Sequence, residues 1–456
     1  MFHIGDAKRA LKVDAVISGE MQRAIELWEN MFLGKAPWLN DTTKSLGLPA
    51  AIVSEVARLT TFEMESEVTG SQRADWLQGE YQRVLDDLSN IVESACAGGS
   101  VVLKPYRDGD RIVVDVVDAW RFVPTSFNSR GEITGAVFAE PVAKGKVFYT
   151  RLEHHMITDE GYVIRNVAFR SHTQGQLGTE CPLSAVDEWA DLEPEMIIGY
   201  KNGEALDKML FAYFKLPLKN TVDAESPLGV SVYSRATGLI EQADKQYSRI
   251  LWEYEGSELA IDASYGALRA KDEHGKDIRL PERQKRLFRQ LAIDSGQSGD
   301  LYKVFSPTIR DQSLFNGLDK LLKRIEFNCG LAYGTLSDPQ NVDKTAEEIR
   351  SSKQRSYAMV CAIQKKLQAT LEHLLWCMDF YATGYKLAPR GNSELNITWG
   401  DGILQDVDKE YARRVDLVER GLLKPEKLMG WYFGVSDEEA LNYMPDAQQA
   451  PTLELE

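Results

Sequence analysis

Tyr233, Ala236, Ile240, Ala243, Tyr247, Ile250 and Tyr254 recur at alternating spacings of three and four residues. A 3.5-residue repeat keeps its stripe on one side of a helix along the whole length, the geometry of one helix packed lengthwise on another. Arg235, Glu241, Lys245, Arg249 and Glu253 flank the stripe, so the helix is expected to carry one apolar seam and a charged remainder. A second helix is expected over residues 312–329, with Leu314, Leu318, Leu321, Leu322 and Ile325 on one face. Between them lies a small module with strand-like ELAID, a turn at His274-Gly275 and a basic, helix-like PERQKRLFRQL. A two-helix arm offers one stripe no complete cover. Tyr233, Ala236, Ile240, Ala243, Tyr247 and Ile250 are therefore expected to meet a neighbouring copy, and head-to-tail contacts of that kind close into rings.

The second helix runs into GLAYGTLSDPQNVDKTAEEIRSSK, starting at Gly330. A glycine loop in front of a helix can cradle phosphate. That chemistry needs a lysine after the last glycine of the motif, and Gly334 is followed by Thr335 and Leu336. Thr345 and Glu348 form a capping box, which satisfies two otherwise unpaired N–H groups. The helix behind it carries Ile349, Val360, Ile363, Leu367, Leu371, Leu374, Met378 and Tyr381, and would span about 58 Å at 1.5 Å per residue.

Elsewhere the period decides the element. Helices are expected over residues 15–32, 50–68 (after Pro49, suited to a first helical position) and 81–97, the last closed by Gly98-Gly99. From Val101 the pattern alternates around Asp108-Gly109-Asp110, a hairpin signature. Short strands are expected to continue to about Ser171. Strand-like LNITWGDG near the C-terminus precedes helices over residues 408–419 and 425–433 and a last one capped by Ser436 and Glu439, before a polar tail expected to be disordered.

The sequence is not expected to carry a catalytic constellation. The nearest approach to a nucleophile elbow, Gly229-Val230-Ser231-Val232-Tyr233, ends in tyrosine where glycine is needed. His154 and His155 are adjacent in a strand, point to opposite faces and cannot share a metal; a structural or solvated role is expected. Asp108 and Asp110 lack calcium-loop spacing, and Asp401, Asp406 and Asp408 sit where aspartate serves turns and helix starts. Five cysteines without a CxxC pair fit neither a disulfide framework nor a zinc site and suit a reducing compartment. Neither a secretory signal nor a membrane-spanning run is expected. A net charge of −16 argues against tight general nucleic-acid binding, which depends on clustered cations.

Several stretches, in this order along the chain, resemble the portal proteins of tailed double-stranded DNA bacteriophages of the siphophage type: MQRAIELWENMF, SLGLPAAIVSEVARL, GGSVVLKPYRDGDRIVV, FVPTSFNSRGEITGAVF, SPLGVSVYSRATGLIEQADKQY, GLAYGTLS and DKTAEEIRSSK. The resemblance implies an α+β fold with an α/β wing (residues 1–229, completed by 345–402), a two-helix stem (230–255 and 311–330), a small α/β clip (256–310), a tunnel loop (331–344) and a helical crown (403–444), with residues 445–456 as the tail. It implies a ring of about a dozen copies at one capsid vertex of the virion, assembled in the host bacterial cytoplasm, through which DNA passes non-specifically. Terminase, major capsid and scaffolding proteins and a head–tail adaptor would be its partners; a cofactor, metal, membrane or catalytic residue is not implied.

On that reading Ser337, Asp338, Gln340, Asn341, Val342, Asp343 and Lys344 are the loop residues beside DNA. Lys320, Lys323 and Arg324 on the preceding stem helix would touch phosphates briefly. Arg279, Arg283, Lys285, Arg286 and Arg289, the densest basic cluster in an acidic chain, would dock a partner at the clip. A loop entering a channel should be small, polar and able to change shape, which Gly, Ser, Asn and Asp provide. Lys424 stands where the family often has a Ser or Thr cap, a departure that leaves the crown boundary open. A minor capsid or head–tail adaptor protein without a channel, and a nucleic-acid-processing enzyme, are the competing classes; an adaptor has no need of a helix–insert–helix–loop order.

Overall fold

Ser18 starts the helix expected over residues 15–32, its Oγ accepting the Met21 N–H at 3.2 Å. α1 (Gly19–Phe32) then buries Met21, Ile25, Trp28 and Met31 at helical spacing. α2 (Leu48–Thr61) has Pro49 in its first turn and buries Ile52, Val53, Val56 and Ala57. It stops short of the expected residue 68, because β1 (Glu65–Gly70) pairs antiparallel with a strand far downstream. α3 (Gln72–Asp86) and α4 (Leu88–Gly98) replace the single helix expected over 81–97. The break is at Asp87, whose backbone leaves the helical region; aspartate competes for backbone hydrogen bonds and favours such junctions.

The computed structural model describes residues 10–13, 16–159, 161–199, 206–257, 260–264, 274, 288–291, 302–338, 346–400, 407–433 and 440–441. Gly99, in the left-handed region at φ 87°, closes α4. A Cβ there would lie 2.6 Å from the Val230 backbone, and one at Gly229 would lie 2.0 Å from the Gly99 carbonyl oxygen. The GGS and PLGV stretches are thus glycine because two backbones touch. Val232 N–H donates to the Cys96 carbonyl at 3.0 Å and fixes that crossing.

β2 (Ser100–Asp108) and β3 (Arg111–Asp118) form the expected hairpin around Gly109, with β10 (Ala212–Lys215) on the other edge of β2. A larger antiparallel sheet runs in the order β4 (Phe122–Phe127), β5 (Ile133–Lys144), β6 (Val147–Thr158), β7 (Gly161–Ser171) and β8 (Thr179–Cys181), and β9 (Glu195–Ile198) also pairs with β7. One of its faces packs Val137, Ala139, Leu152 and Phe169 around Leu11 and Leu177. The other carries a buried polar network. Leu210 N–H donates to Tyr162 Oη (3.1 Å), and the tyrosine hydroxyl lies 2.6 Å from His155 Nδ1, to which it donates when the neutral ring carries its proton on Nε2 toward the Glu153 carboxylate. His155 Nε2–H then donates to Glu153 Oε1 (2.5 Å). Glu153 Oε2 takes Lys104 at 2.6 Å and Arg151 at 3.0 Å. His154, on the opposite face, reaches Thr125 Oγ1 at 3.1 Å. Both histidines are buried. Of the two roles expected for them, structural and solvated, the structural one stands.

α5 (Thr237–Gly256) follows a 3-10 turn at Ser234–Ala236, so the helix expected from residue 230 starts later. The insert contributes β11 (Ala260–Ser264), β12 (Phe288–Leu291) and β13 (Tyr302–Phe305), in the order β12-β11-β13. The end of the run read as helix-like is thus a strand: Phe288 pairs with Ile261 and Leu291 with Ser264 in parallel register. Sheet pairing overrides the helix preference of Arg, Gln and Leu, a common outcome where propensity alone is read. α6 (Asp311–Cys329) and α7 (Ala346–Gly384) complete the helical framework, and β14 (Ser393–Thr398) returns to β1 with Leu395 opposite Val68. α7 buries Val360, Ile363, Leu367, Leu371, Leu374 and Met378 as its spacing requires. Arg73 of α3, 1% exposed, reaches Asp379 of α7 at 2.9 Å. Helices and mainly antiparallel sheets in separate runs make the class α+β.

The chain divides into two units, Met1–Thr398 and Trp399–Glu456. The second contains α8 (Val407–Glu419) and α9 (Pro425–Phe433), both where the period placed them, joined through Gly421 at φ 71°. Arg414 stacks over the Trp431 ring at 4.4 Å, and Lys424 Nζ reaches Glu426 at 3.3 Å. Ser436, Glu439 and the tail lie outside the described residues, as does Thr345 of the expected capping box; the Glu348 side chain is likewise not described.

Candidate functional site

α5 and α6 pack against each other in opposite directions. Near the insert, Arg310 meets Glu253 through Nη2–Oε2 at 2.8 Å. One turn further along, Gln246 Nε2 donates to the Leu314 carbonyl at 3.2 Å. Ile240, Ala243 and Ile250 on α5 and Leu318, Ile325 and Cys329 on α6 are all buried.

This placement corrects the expected subunit seam. Tyr233, Ala236, Ile240 and Ala243 are 0% exposed within one chain and Ile250 is 2% exposed; Tyr247 is half-buried and Tyr254 exposed. The stripe is covered by its own chain. Tyr233 Oη donates to the Trp28 carbonyl at 2.8 Å. Asp244, one turn after Ile240, accepts Trp38 Nε1–H at 2.9 Å and Leu46 N–H at 2.8 Å. Ser248 Oγ accepts Lys44 N–H at 2.8 Å. Residues 38–48 therefore lie as a strap along α5, and burial raises the Asp244 carboxyl above its usual range while these bonds hold it down. The outward residues of α5 include Gln242, Arg249, Trp252 and Tyr254, and Arg235 is exposed in the turn before it.

The loop after α6 is built on one carboxylate. Gly330, at φ 73°, ends the helix, and Leu331 N–H donates back to the Glu326 carbonyl at 2.9 Å, a Schellman closure with Leu331 buried against it. The Glu326 side chain, 0% exposed, then gathers the next turn. Its Oε1 accepts Gly334 N–H (3.1 Å), Leu336 N–H (2.6 Å) and Ser337 N–H (2.8 Å), and its Oε2 accepts Ser337 Oγ–H (3.0 Å). Asp319, two turns back on α6, accepts Asp338 N–H at 3.1 Å and pairs with Lys323 at 2.6 Å.

The expected site residues separate accordingly. Ser337 is 5% exposed and bonded to Glu326; it anchors the loop and cannot face DNA, which corrects its assignment. Asp338 is exposed, as are Lys320 and Arg324, while Lys323 is half-buried beside Asp319. Gln340, Asn341, Val342, Asp343 and Lys344 lie outside the described residues, as do Arg279, Arg283, Lys285 and Arg286; Arg289 is in β12. Sequence reasoning missed Asp244 and Glu326. Each had a visible signal: a carboxylate four residues after a stripe position, Ile240 and Leu322 respectively, where a charge must be buried and therefore bonded.

Among the described residues, no cluster of three or more His, Cys, Asp or Glu could hold a metal ion, and no helix is long and apolar enough to cross a membrane. The five cysteines are free, with Cys96, Cys329 and Cys377 buried.

No curated protein matches the chain. Among solved structures, the neck of a native GTA particle, computed with C12 symmetry, is similar over 95% of this chain and 99% of its own, at 11% identity and a TM-score of 0.46. The family model for phage portal proteins of the SPP1 Gp6-like type matches residues 60–451, a span that takes in the larger sheet, the helix pair with its insert, the anchored loop and α7. The chain belongs to the SPP1 Gp6-like family of phage portal proteins.

Proposed function

We propose that this protein assembles into a ring at one capsid vertex and forms the channel through which double-stranded DNA enters and leaves. The observation that carries the reading is the order α5, insert, α6, anchored loop, α7 inside the family match. In this reading α5 and α6 are the stem, residues 256–310 the clip, residues 331–344 the tunnel loop, residues 403–444 the crown, and the sheets with α7 the wing. Lys320 and Arg324 supply brief phosphate attraction, and the acidic remainder keeps DNA from being held, since each phosphate contact adds salt-dependent affinity. Subunits meet through faces other than the Tyr233–Ile250 stripe. The protein itself hydrolyses nothing; the motor that drives DNA is a separate partner.

Negative-stain microscopy and mass photometry of the purified protein test this. Rings of about a dozen copies with a central opening are the expected result, without ATPase or nuclease activity in magnesium. A monodisperse monomer at micromolar concentration would overturn the reading, and turnover by clean rings would restore the enzyme class.

The basic cluster at Arg279, Arg283, Lys285, Arg286 and Arg289 is proposed to attract an acidic partner, terminase during packaging or an adaptor afterwards. Reversing Arg283 and Arg286 to Glu should leave rings intact and reduce packaged DNA in a complementation assay. Normal packaging would return the cluster to an ordinary solvated surface.

A further inference from the structure

We infer that Glu326 is a positioning residue, whose single buried carboxylate fixes residues 331–338 to α6 so that the loop leaves the stem in one direction. A helix that ended at Gly330 would need only the Schellman closure, which the Glu326 carbonyl already provides. The carboxylate does something further. It takes three backbone N–H groups and one hydroxyl from a stretch with neither helix nor strand among residues 331–338. Of these donors only Gly334 N–H has a second acceptor, Ser337 Oγ at 3.3 Å, itself bonded to Glu326, and a buried N–H without an acceptor is costly. Bonds to a charged acceptor are the stronger kind. One side chain therefore holds the turn over residues 334–337.

The sequence around it fits the task. Gly334 sits at φ 88° and lets the chain turn its N–H inward. Thr335 Oγ1 donates to the Ala332 carbonyl at 2.6 Å, tightening the same turn. Asp319 fixes the next residue, Asp338, from a point two turns nearer the start of α6. Two carboxylates on one helix thus pin successive parts of the loop, and the loop's base becomes part of the α6 body. The GLAYGTL portion of the motif is the receptor for Glu326, whereas DNA contact falls to residues beyond Ser337. This last step rests on the portal reading; the anchoring itself does not.

The test is hydrogen exchange on assembled protein, comparing the unmutated chain with Glu326→Ala, Glu326→Gln and Ser337→Ala. In Glu326→Ala the peptide covering residues 331–338 should exchange about 10- to 100-fold faster, as expected for losing charge-assisted bonds, while the α7 peptides stay unchanged. Glu326→Gln keeps the shape and should fall between; Ser337→Ala, which loses the hydroxyl's bond to Glu326 and its long 3.3 Å bond from Gly334 N–H but leaves all three backbone bonds to the carboxylate, should accelerate least. If Glu326→Ala does not fold, the order of the other two decides. Equal protection of residues 331–338 in unmutated and Glu326→Gln chains, with Ser337→Ala also unchanged, would overturn the anchor. The functional arm is separate: Glu326→Gln rings of normal subunit number should retain packaged DNA at least several-fold less well. Loosened amides with full DNA retention would overturn the positioning role. Absence of rings in the unmutated protein would instead count against the portal reading, with the exchange result still deciding the anchor.

Discussion

Ile240→Asp should unfold the helix pair rather than loosen a contact between subunits. Ile240 is 0% exposed within one chain, one turn before Asp244, which the strap of residues 38–46 bonds. Aspartate there loses the buried isoleucine side chain, a change that costs about 2–5 kcal/mol even when alanine takes its place. It adds a carboxylate that must stay charged without a partner or be protonated at further cost. The sum reaches at least about 4 kcal/mol, which is a large part of a domain's usual 5–15 kcal/mol. Gln242→Asp is the control, because Gln242 faces outward on the same helix and surface changes of this kind stay within about 0.5 kcal/mol. Thermal melting should show a strongly lowered or absent transition for Ile240→Asp and an unchanged one for Gln242→Asp. A folded Ile240→Asp monomer with a normal melting temperature would mean that the stripe is, after all, covered by a neighbour.

That contrast marks where reading the sequence succeeded and where it stopped. The spacing of apolar residues located α5, α6 and α7 because periodicity is local and survives whatever covers it. It could not say what the cover is. Trp28, Trp38 and Leu46 reach Tyr233 and Asp244 from about two hundred residues away, and a 3.5-residue repeat reads alike whether a strap, a sister helix or another subunit lies on it. β1 was lost for the same reason: only Val68 of that strand is buried, and its partner β14 lies beyond α7. In the insert, FRQL has side chains that suit a helix, and parallel pairing with β11 decides otherwise. The loop was legible as polar, glycine-rich and helix-anchored. Its division was not, because that depends on Glu326, a glutamate whose role is visible only once the stripe of α6 is known to be an inner face. The glycines at 99 and 229 are explained only by the touching of two backbones that no pattern brings together.

Glu153→Ala should cost about 3–5 kcal/mol, the range for breaking a buried ion pair from one side. Lys104, 9% exposed, would lose its only carboxylate partner among the described residues, and the His155 Nε2–H would lose its acceptor. Arg151 would keep Glu140. Removing both charges with Glu153→Leu and Lys104→Met should return much of the loss, since apolar replacements of buried pairs are often neutral. Acid should reveal the same network. Burial alone would raise the Glu153 carboxyl, but Lys104, then His155 and Arg151, hold it well below the usual carboxylate range. A depressed carboxyl contributes stability above its unfolded value, about 4.5, and that contribution is lost as pH falls through the folded value. The histidines act earlier. Burial lowers His154 from 6.5 to about 4 and also lowers His155, despite the pull of Glu153. Both are neutral when folded and take up protons on unfolding, so stability should decline from about pH 6.5 downward. Melting temperatures between pH 8 and pH 3.5 should thus fall in two stages in the unmutated protein. Glu153→Ala should start lower and lack most of the stage below pH 4.5. An equally steep acid stage in Glu153→Ala would show that other carboxylates, and not this one, carry the acid sensitivity of the sheet.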